Sequence, residues 1–252
     1  MSPGTVFIWL AVALSPYWLG PVVVWLTQRV PTQPAFERFA SERHAVPADA
    51  AAALQQTTDE LGRAGFHVVA DLFQSGQVRR VNMRVVLLEN RLTAELALAV
   101  AAFTTAGSRL VTSFVELPTK LRDGRSVTVN NSRRLSVFTR PASRDVVQLP
   151  TVRDAARLVD IKRAYLARYP GGAERIPFAH QDDPLQFLGE AMTRELQEQV
   201  EAGTWWRDER AGVFRPTFAG AWRMTWRVLP PFSVVRRWRA RRRAVAILRD
   251  LG

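Results

Sequence analysis

The first feature of the hydrophobic pattern is an unbroken apolar run over Thr5–Leu26, which contains no charged residue. As a helix, its 22 residues would extend about 33 Å, which matches the roughly 30 Å hydrocarbon core of a bilayer. Trp9 and Trp25 lie near its ends, where indole rings favour the membrane interface. No Lys or Arg precedes the run, and no A-x-A-like cleavage site closes it before Arg29. The pattern therefore predicts a single transmembrane helix, residues 1–28, retained as an anchor.

A segment with three prolines follows over residues 29–47. It is predicted to be a juxtamembrane linker with a short helix over Ala35–Arg43. Arg29, Arg38 and Arg43 flank this side of the run, whereas no basic residue flanks the other side. Because cytoplasmic flanks are rich in Lys and Arg, the asymmetry predicts a cytoplasmic domain. The alternative is that three arginines carry little topological information in a chain so rich in arginine.

Residues 48–203 combine helical and alternating patterns, which predict one α+β domain. Asp49–Arg63 has apolar positions at three-and-four spacing, with Asp49 as a cap and Gly65 as a stop. Alternating apolar residues then predict a hairpin that turns at Ser75–Gly76. Thr93–Thr104 is predicted to be a further strand, although its alanines would also suit a helix.

The strongest hairpin signal is Asp123–Gly124 between two alternating arms. A turn at Gly107–Ser108 precedes these arms, and Ser136–Phe138 and Val146–Gln148 are expected to add edge strands. Because sequential strands are joined by tight turns, the sheet is predicted to be an antiparallel meander, and a doubly wound α/β fold is disfavoured.

Two amphipathic helices are predicted after the strands. Thr151 and Asp154 resemble a capping box that opens the first, which ends at Pro170–Gly172. The second begins at Asp183–Pro184 and ends at Gly203. Their apolar stripes predict packing against a face of the sheet.

Catalytic and metal-binding signals are sparse. The absence of cysteine excludes disulfides and thiolate chemistry, and no Walker A, GxSxG or GxGxxG motif occurs. Glu89, Glu95 and Glu116 are expected on the wet face of a half-exposed sheet. The three histidines show no metal-ligand spacing; they are His44, His67 and His180. No catalytic residue, cofactor or metal site is therefore predicted.

The C-terminal segment, residues 204–252, is rich in tryptophan and arginine. It carries 12 arginines and three acidic residues, a net charge of +9 in a chain of net charge +12. Two short strands, a helix over Thr217–Leu229 and a helix over Ser233–Leu251 are predicted. The order of helix, hairpin and helix resembles the wing of winged-helix domains, which would imply nucleic-acid binding.

Indoles combined with arginines on short amphipathic helices are more typical of an interfacial helix pair. The alternative is that the tryptophans complete the domain core and the arginines are only solvated. The predicted membrane-interface residues are Trp9, Trp25, Trp222, Trp226, Trp238, Arg236, Arg237, Arg239, Arg241, Arg242 and Arg243.

Together these patterns predict a single-pass membrane protein with a cytoplasmic α+β domain, acting as a non-catalytic accessory or scaffold protein. Its expected partners are the lipid bilayer, anionic lipid headgroups and a membrane protein. The alternatives are a membrane-tethered enzyme with unmarked catalytic residues and a membrane-anchored nucleic-acid binder using the basic tail, the latter disfavoured. The sequence leaves the oligomeric state open.

Overall fold

The chain folds into two units of mixed α and β structure. The structure is a computed structural model that describes residues 2–78, 81–104, 109–169, 174–177 and 183–251, without the side chains of residues 3, 4, 7, 8, 10, 11, 13, 77 and 78. Unit 1 comprises Met1–Gln33, Ser136–Thr139 and Met192–Trp238, and unit 2 comprises Pro34–Leu135, Arg140–Ala191 and Arg239–Gly252. The predicted α+β class is confirmed.

The described elements are six helices and eleven strands, with six consecutive strands between α2 and α3. In chain order they are α1 (Pro3–Thr27), β1 (Val30–Pro31), β2 (Glu37–Arg38), α2 (Ala48–Arg63), β3 (His67–Val78), β4 (Val81–Asn90), β5 (Glu95–Thr104), β6 (Leu110–Leu121), β7 (Ser126–Asn130), β8 (Arg144–Gln148), α3 (Ala155–Ala167), β9 (Arg175–Ile176), α4 (Pro184–Glu201), β10 (Trp205–Asp208), β11 (Val213–Pro216), α5 (Phe218–Val228) and α6 (Phe232–Leu251).

The apolar run forms α1, as its composition predicts. The Ser2 hydroxyl caps the helix by accepting a hydrogen bond from the Thr5 amide. Within the described residues and side chains, no helix combines the length and the apolar character needed to cross a bilayer. The helix is therefore confirmed, whereas the predicted transmembrane span is not supported by the structure.

Unit 1 contains a three-stranded antiparallel sheet in the order β1-β11-β10. Its core is formed by Val30, Leu196, Trp205 and Phe214. The Thr217 hydroxyl accepts a hydrogen bond from the Gly220 amide and begins α5. The predicted C-terminal hairpin and both C-terminal helices are thus confirmed, and Trp205 is a core residue.

Unit 2 is built on a sheet in the order β2-β3-β4-β5-β6-β7-β8, with β9 paired to β6. The strands from β3 to β7 form the predicted antiparallel meander, including the Asp123–Gly124 hairpin. β8 is parallel to β7, which corrects the expectation of a wholly antiparallel sheet. Ser75–Gly76 is also not the predicted hairpin turn, because it lies within β3 at a register irregularity.

Both faces of β5 are buried, and Glu89 and Glu95 are each only 6% exposed, so the expected wet face is wrong for these two residues. Glu116 is half-buried. Ala97, Ala99 and Ala101 of β5 belong to the core that also contains residues of α2 and α3. The alternate β5 residues pack in a second cluster with α4 residues; they are Leu96, Leu98 and Val100. Small side chains on the β5 face that meets α2 allow the helix to pack closely, which explains the alanine-rich strand.

Three local predictions differ from the structure. The short helix predicted over Ala35–Arg43 is wrong, because Glu37–Arg38 forms β2 and pairs with β3. Ser136–Phe138 does not form a strand. Helix α3 begins after Asp154, whose carboxylate accepts hydrogen bonds from two amides of the first turn, and not at Thr151. The turn at Gly107–Ser108, the helix end at Pro170–Gly172 and His180 lie outside the described residues.

Candidate membrane-contact surface

Helices α1 and α5 pack side by side in unit 1 through three ring pairs, here called the aromatic ladder. The ring centroids are 6.0 Å apart for Trp25–Phe218, 5.6 Å for Trp18–Trp222 and 5.2 Å for Tyr17–Trp226. Residue numbers fall along α1 as they rise along α5, so the two helices are antiparallel. The spacing of Phe218, Trp222 and Trp226 at i, i+4 and i+8 places all three rings on one face of α5.

Two glycines bring the backbones of unit 1 close together. A Cβ atom at Gly20 of α1 would lie 2.7 Å from Thr225 Cγ2 of α5. A Cβ atom at Gly220 would lie 1.8 Å from the Thr204 carbonyl oxygen, which precedes β10. Helix α5 thus packs against α1 through its aromatic face. Through Gly220 it packs against the backbone of Thr204, just before β10.

Many of the described apolar side chains of α1 remain exposed, including two members of the aromatic ladder, Trp18 and Trp25. Trp9 is 62% exposed and Trp18 is 64% exposed, although Trp18 also touches Trp222. The other exposed apolar side chains of α1 are Val6, Val12, Leu14, Leu19, Val22, Val23, Trp25 and Leu26. Exposed apolar side chains in this number are typical of a surface that contacts lipid or another protein.

The five predicted interface tryptophans fall into two groups. Trp9 and Trp238 are mainly exposed. Trp25 is partly covered by Phe218, and Trp222 and Trp226 are half-buried and stack on each other at 5.7 Å. The last three are therefore members of the aromatic ladder, a contact between distant segments that the sequence pattern did not reveal.

The six predicted interface arginines of α6 also divide. In unit 1, Arg236 donates hydrogen bonds to the carbonyl oxygens of Ser136 and Arg227. In unit 2, Arg243 forms an ion pair with Asp145 at 2.7 Å. Arg237 donates a hydrogen bond to the Ser233 carbonyl of its own helix. Its side chain is exposed, as are those of Arg239, Arg241 and Arg242. These four side chains are therefore accessible from solvent, whereas Arg236 and Arg243 are engaged by partners within the protein.

Arg223 and Arg227 of α5 were not among the predicted interface residues. They lie one turn apart, and the Arg227 guanidinium donates a hydrogen bond of 2.9 Å to the Val137 carbonyl. Burial and, second, the neighbouring Arg223 charge lower the pKa of Arg227. Among the described residues, neither arginine forms an ion pair with a carboxylate. Their i, i+4 spacing beside the tryptophan face was the only sequence signal for them.

Unit 2 contains a buried ionic cluster of Glu95, Lys162 and Arg163. The Glu95 carboxylate accepts hydrogen bonds from Lys162 Nζ at 3.0 Å, from the Arg163 guanidinium and from the Thr93 hydroxyl. Burial lowers the pKa of Lys162 despite the opposing charge of Glu95. Both cations pair with the single Glu95 carboxylate, an arrangement typical of a structural ion-pair cluster.

A cleft of about 430 Å³ lies in unit 2 between α2 and strands β3 and β4. Asp71 and Arg84 face it and bind each other through two hydrogen bonds of 3.0 and 2.6 Å. Arg84 also lies 3.7 Å from the centroid of the Phe39 ring. The two charged groups of the cleft are thus engaged with each other, and Arg84 also with an aromatic ring.

Comparisons of the chain with protein-family models, curated proteins and solved structures gave no match. Function is therefore inferred from the surfaces described above. Within the described ranges, no group of three His, Asp or Glu side chains converges in a way that could hold a metal ion.

Proposed function

We propose that this chain is a membrane-anchored, non-catalytic accessory protein whose helix α1 inserts into one leaflet of a bilayer. The exposed apolar surface of α1 carries this proposal. From Thr5 to Leu26 the helix has no charged residue. Its exposed apolar side chains are Val6, Trp9, Val12 and Leu14 in the first half and Trp18, Leu19, Val22, Val23, Trp25 and Leu26 in the second. Lipid chains remove the first group from water, and the headgroup interface, which favours indole rings, surrounds the second.

The depth of insertion follows from the arginines of α5. The aromatic ladder aligns Arg223 and Arg227 with the half of α1 that contains Tyr17 and Trp18. An arginine costs about 2.5–3.5 kcal/mol at the centre of a bilayer, so this half of α1 is expected at headgroup depth. The residues before it, Thr5–Leu14, extend about 15 Å, which is half of the roughly 30 Å hydrocarbon thickness.

One-leaflet insertion thus takes the place of the single-pass span that the sequence predicts. Anionic headgroups remain the expected partners, since each exposed arginine near the surface contributes about 1 kcal/mol. The cytoplasmic side stays a prediction that rests on Arg29, Arg38 and Arg43. An accessory role is proposed because the most distinctive surface of the described residues serves attachment rather than chemistry on a substrate.

Cysteine labelling in sealed membrane vesicles tests this proposal. The chain contains no cysteine, so Ser2→Cys and the control Arg210→Cys, in the exposed β10–β11 turn, each introduce one thiol. A membrane-impermeant maleimide should label the Arg210→Cys variant from one side. It should label the Ser2→Cys variant from neither side until detergent is added, because residue 2 lies within the hydrocarbon.

Two other labelling patterns would contradict one-leaflet insertion. Labelling of Ser2→Cys from the side opposite to Arg210→Cys would establish a full crossing. Labelling of both variants from the same side, together with release of the protein by alkaline carbonate, would show that α1 is not inserted.

A further inference from the structure

A bulge in β3 brings a charged residue onto the face of the sheet that packs against α2. The register of β3 against β4 shifts between Val68 and Ala70. Val68 lies opposite Leu88. Asp71 lies opposite Val86, and directly paired residues share a face, so both β3 side chains are on the face that forms a core with α2. In a regular strand, residues three apart would point to opposite faces, and bulges often re-aim a side chain next to a binding site.

The Arg84 guanidinium lies on the same face and retains unused hydrogen-bonding capacity. Its Nε and Nη2 atoms donate to the two carboxylate oxygens of Asp71, and its Cζ atom lies 3.7 Å from the centroid of the Phe39 ring. Among the described residues, the Nη1 atom of Arg84 donates no hydrogen bond. A guanidinium has five N–H donors and a carboxylate has about four acceptor sites. Arg84 therefore keeps donors, and Asp71 keeps acceptor sites, for a ligand.

The cleft between α2 and these strands combines the ion pair with an aliphatic wall. Its volume of about 430 Å³ lies within the roughly 300–1,000 Å³ typical of small-molecule sites. Asp71 and Arg84 both line it. Its aliphatic lining includes Ala51 and Leu54 of α2 and Val68 and Val86 of the sheet. A cation and an anion beside aliphatic side chains are complementary to a zwitterion that carries an aliphatic substituent.

We propose that this cleft binds a free α-amino acid with an aliphatic side chain. The carboxylate of the ligand accepts hydrogen bonds from Arg84, its ammonium group donates to Asp71, and its side chain packs against Val68 and Val86. A ligand with only one of the two charges matches less well, because Asp71 repels an anion and Arg84 repels a cation. Binding does not depend on membrane insertion, since every described lining residue belongs to unit 2.

Isothermal titration calorimetry of the full chain in a neutral detergent tests the amino-acid site, with titrations into empty detergent as the blank. The probe is leucine. Isocaproate lacks its ammonium group, isoamylamine lacks its carboxylate, and glycine lacks its side chain. Leucine should bind at least tenfold more tightly than each of the three, because each loses a charge-assisted hydrogen bond or the apolar contact.

Two tryptophan substitutions in β3 provide a matched pair. Val68 is 52% exposed and lines the cleft, so Val68→Trp fills the cleft without disturbing the core and should weaken leucine binding at least tenfold. His67 is exposed, does not line the cleft and points to the opposite face, so His67→Trp should leave binding unchanged.

Asp71→Asn tests the role of the acidic side chain. It should weaken binding of leucine and strengthen binding of isocaproate, because the amide no longer attracts the ammonium group or repels the carboxylate. Val68→Trp tests the site even if Asp71→Asn fails to fold. Absence of leucine binding by the wild type, equal binding of leucine and isocaproate, or equal leucine binding by Val68→Trp and His67→Trp would overturn the proposal.

Discussion

Replacing Glu95 by Gln is expected to lower the free energy of unfolding by about 3–5 kcal/mol. The Lys162 side chain is only 2% exposed, and Glu95 is the carboxylate that pairs with it at 3.0 Å. Without that carboxylate, the lysine charge would stay buried without a counter-charge. Arg163 is partly exposed and can turn to water.

Urea unfolding of two further variants separates this effect from simple loss of a contact. The double variant Glu95→Leu with Lys162→Met removes both charges and should recover most of the lost stability. Asp123→Asn breaks an exposed pair with Arg125 and should leave the urea midpoint nearly unchanged. A loss below 1 kcal/mol for Glu95→Gln would contradict the buried ion pair.

The same variant should change the pH dependence of stability. Burial raises the pKa of Glu95, but the Lys162 charge and the hydrogen bonds from Arg163 and Thr93 outweigh it, so the pKa lies below its usual value of 4.5. The stabilisation from the ionised Glu95 carboxylate is complete above the pKa that Glu95 has in the unfolded chain. It is lost as the pH falls through the lower pKa that Glu95 has in the folded protein. The stability difference between wild type and Glu95→Gln should therefore shrink below pH 4.5.

Gly220→Ala is expected to lower the free energy of unfolding by about 3 kcal/mol, through overpacking. The new Cβ would lie 1.8 Å from the Thr204 carbonyl oxygen, which is fixed by hydrogen bonds from the Thr217 amide and hydroxyl. Helix propensity alone predicts the opposite sign, a gain of about 0.5–1 kcal/mol. Thermal or urea unfolding monitored by circular dichroism and tryptophan fluorescence measures the change.

Gly62→Ala in α2 is the matched control for this substitution. No atom lies within 4 Å of the position that its Cβ would take, so the variant should be stabilised by about 0.5–1 kcal/mol. Stabilisation by both substitutions would mean that α5 does not pack on the Thr204 backbone.

Local signals made much of the fold predictable. The Asp123–Gly124 turn, the Asp183–Pro184 helix start and the alternating strands specify their conformations within a few residues. Strands β1 and β2 were missed because two residues have no periodicity, and they are held by partners far along the chain. The burial of Glu95 was missed for the same reason, since its lysine partner is 67 residues away.

The candidate surface was predictable in composition but not in arrangement. The apolar run and the Trp-rich and Arg-rich tail were visible in the sequence, whereas the pairing of Trp18 with Trp222 joins segments about 200 residues apart. That pairing explains why Trp222 faces α1, and it aligns Arg223 with Trp18. The proposed depth of insertion depends on this alignment, which no local pattern specifies.

A comparison of Val6→Arg with Val23→Arg tests insertion of α1 most directly. The two valines lie on the same helix and are 51% and 57% exposed, so neither substitution disturbs a core. One-leaflet insertion places residue 6 near the bilayer centre and residue 23 at headgroup depth. In flotation of the full chain, synthesised without cells in the presence of liposomes, Val6→Arg should reduce membrane partitioning about 100-fold, and Val23→Arg should have little effect. Wild-type partitioning of Val6→Arg would contradict insertion of α1 into one leaflet.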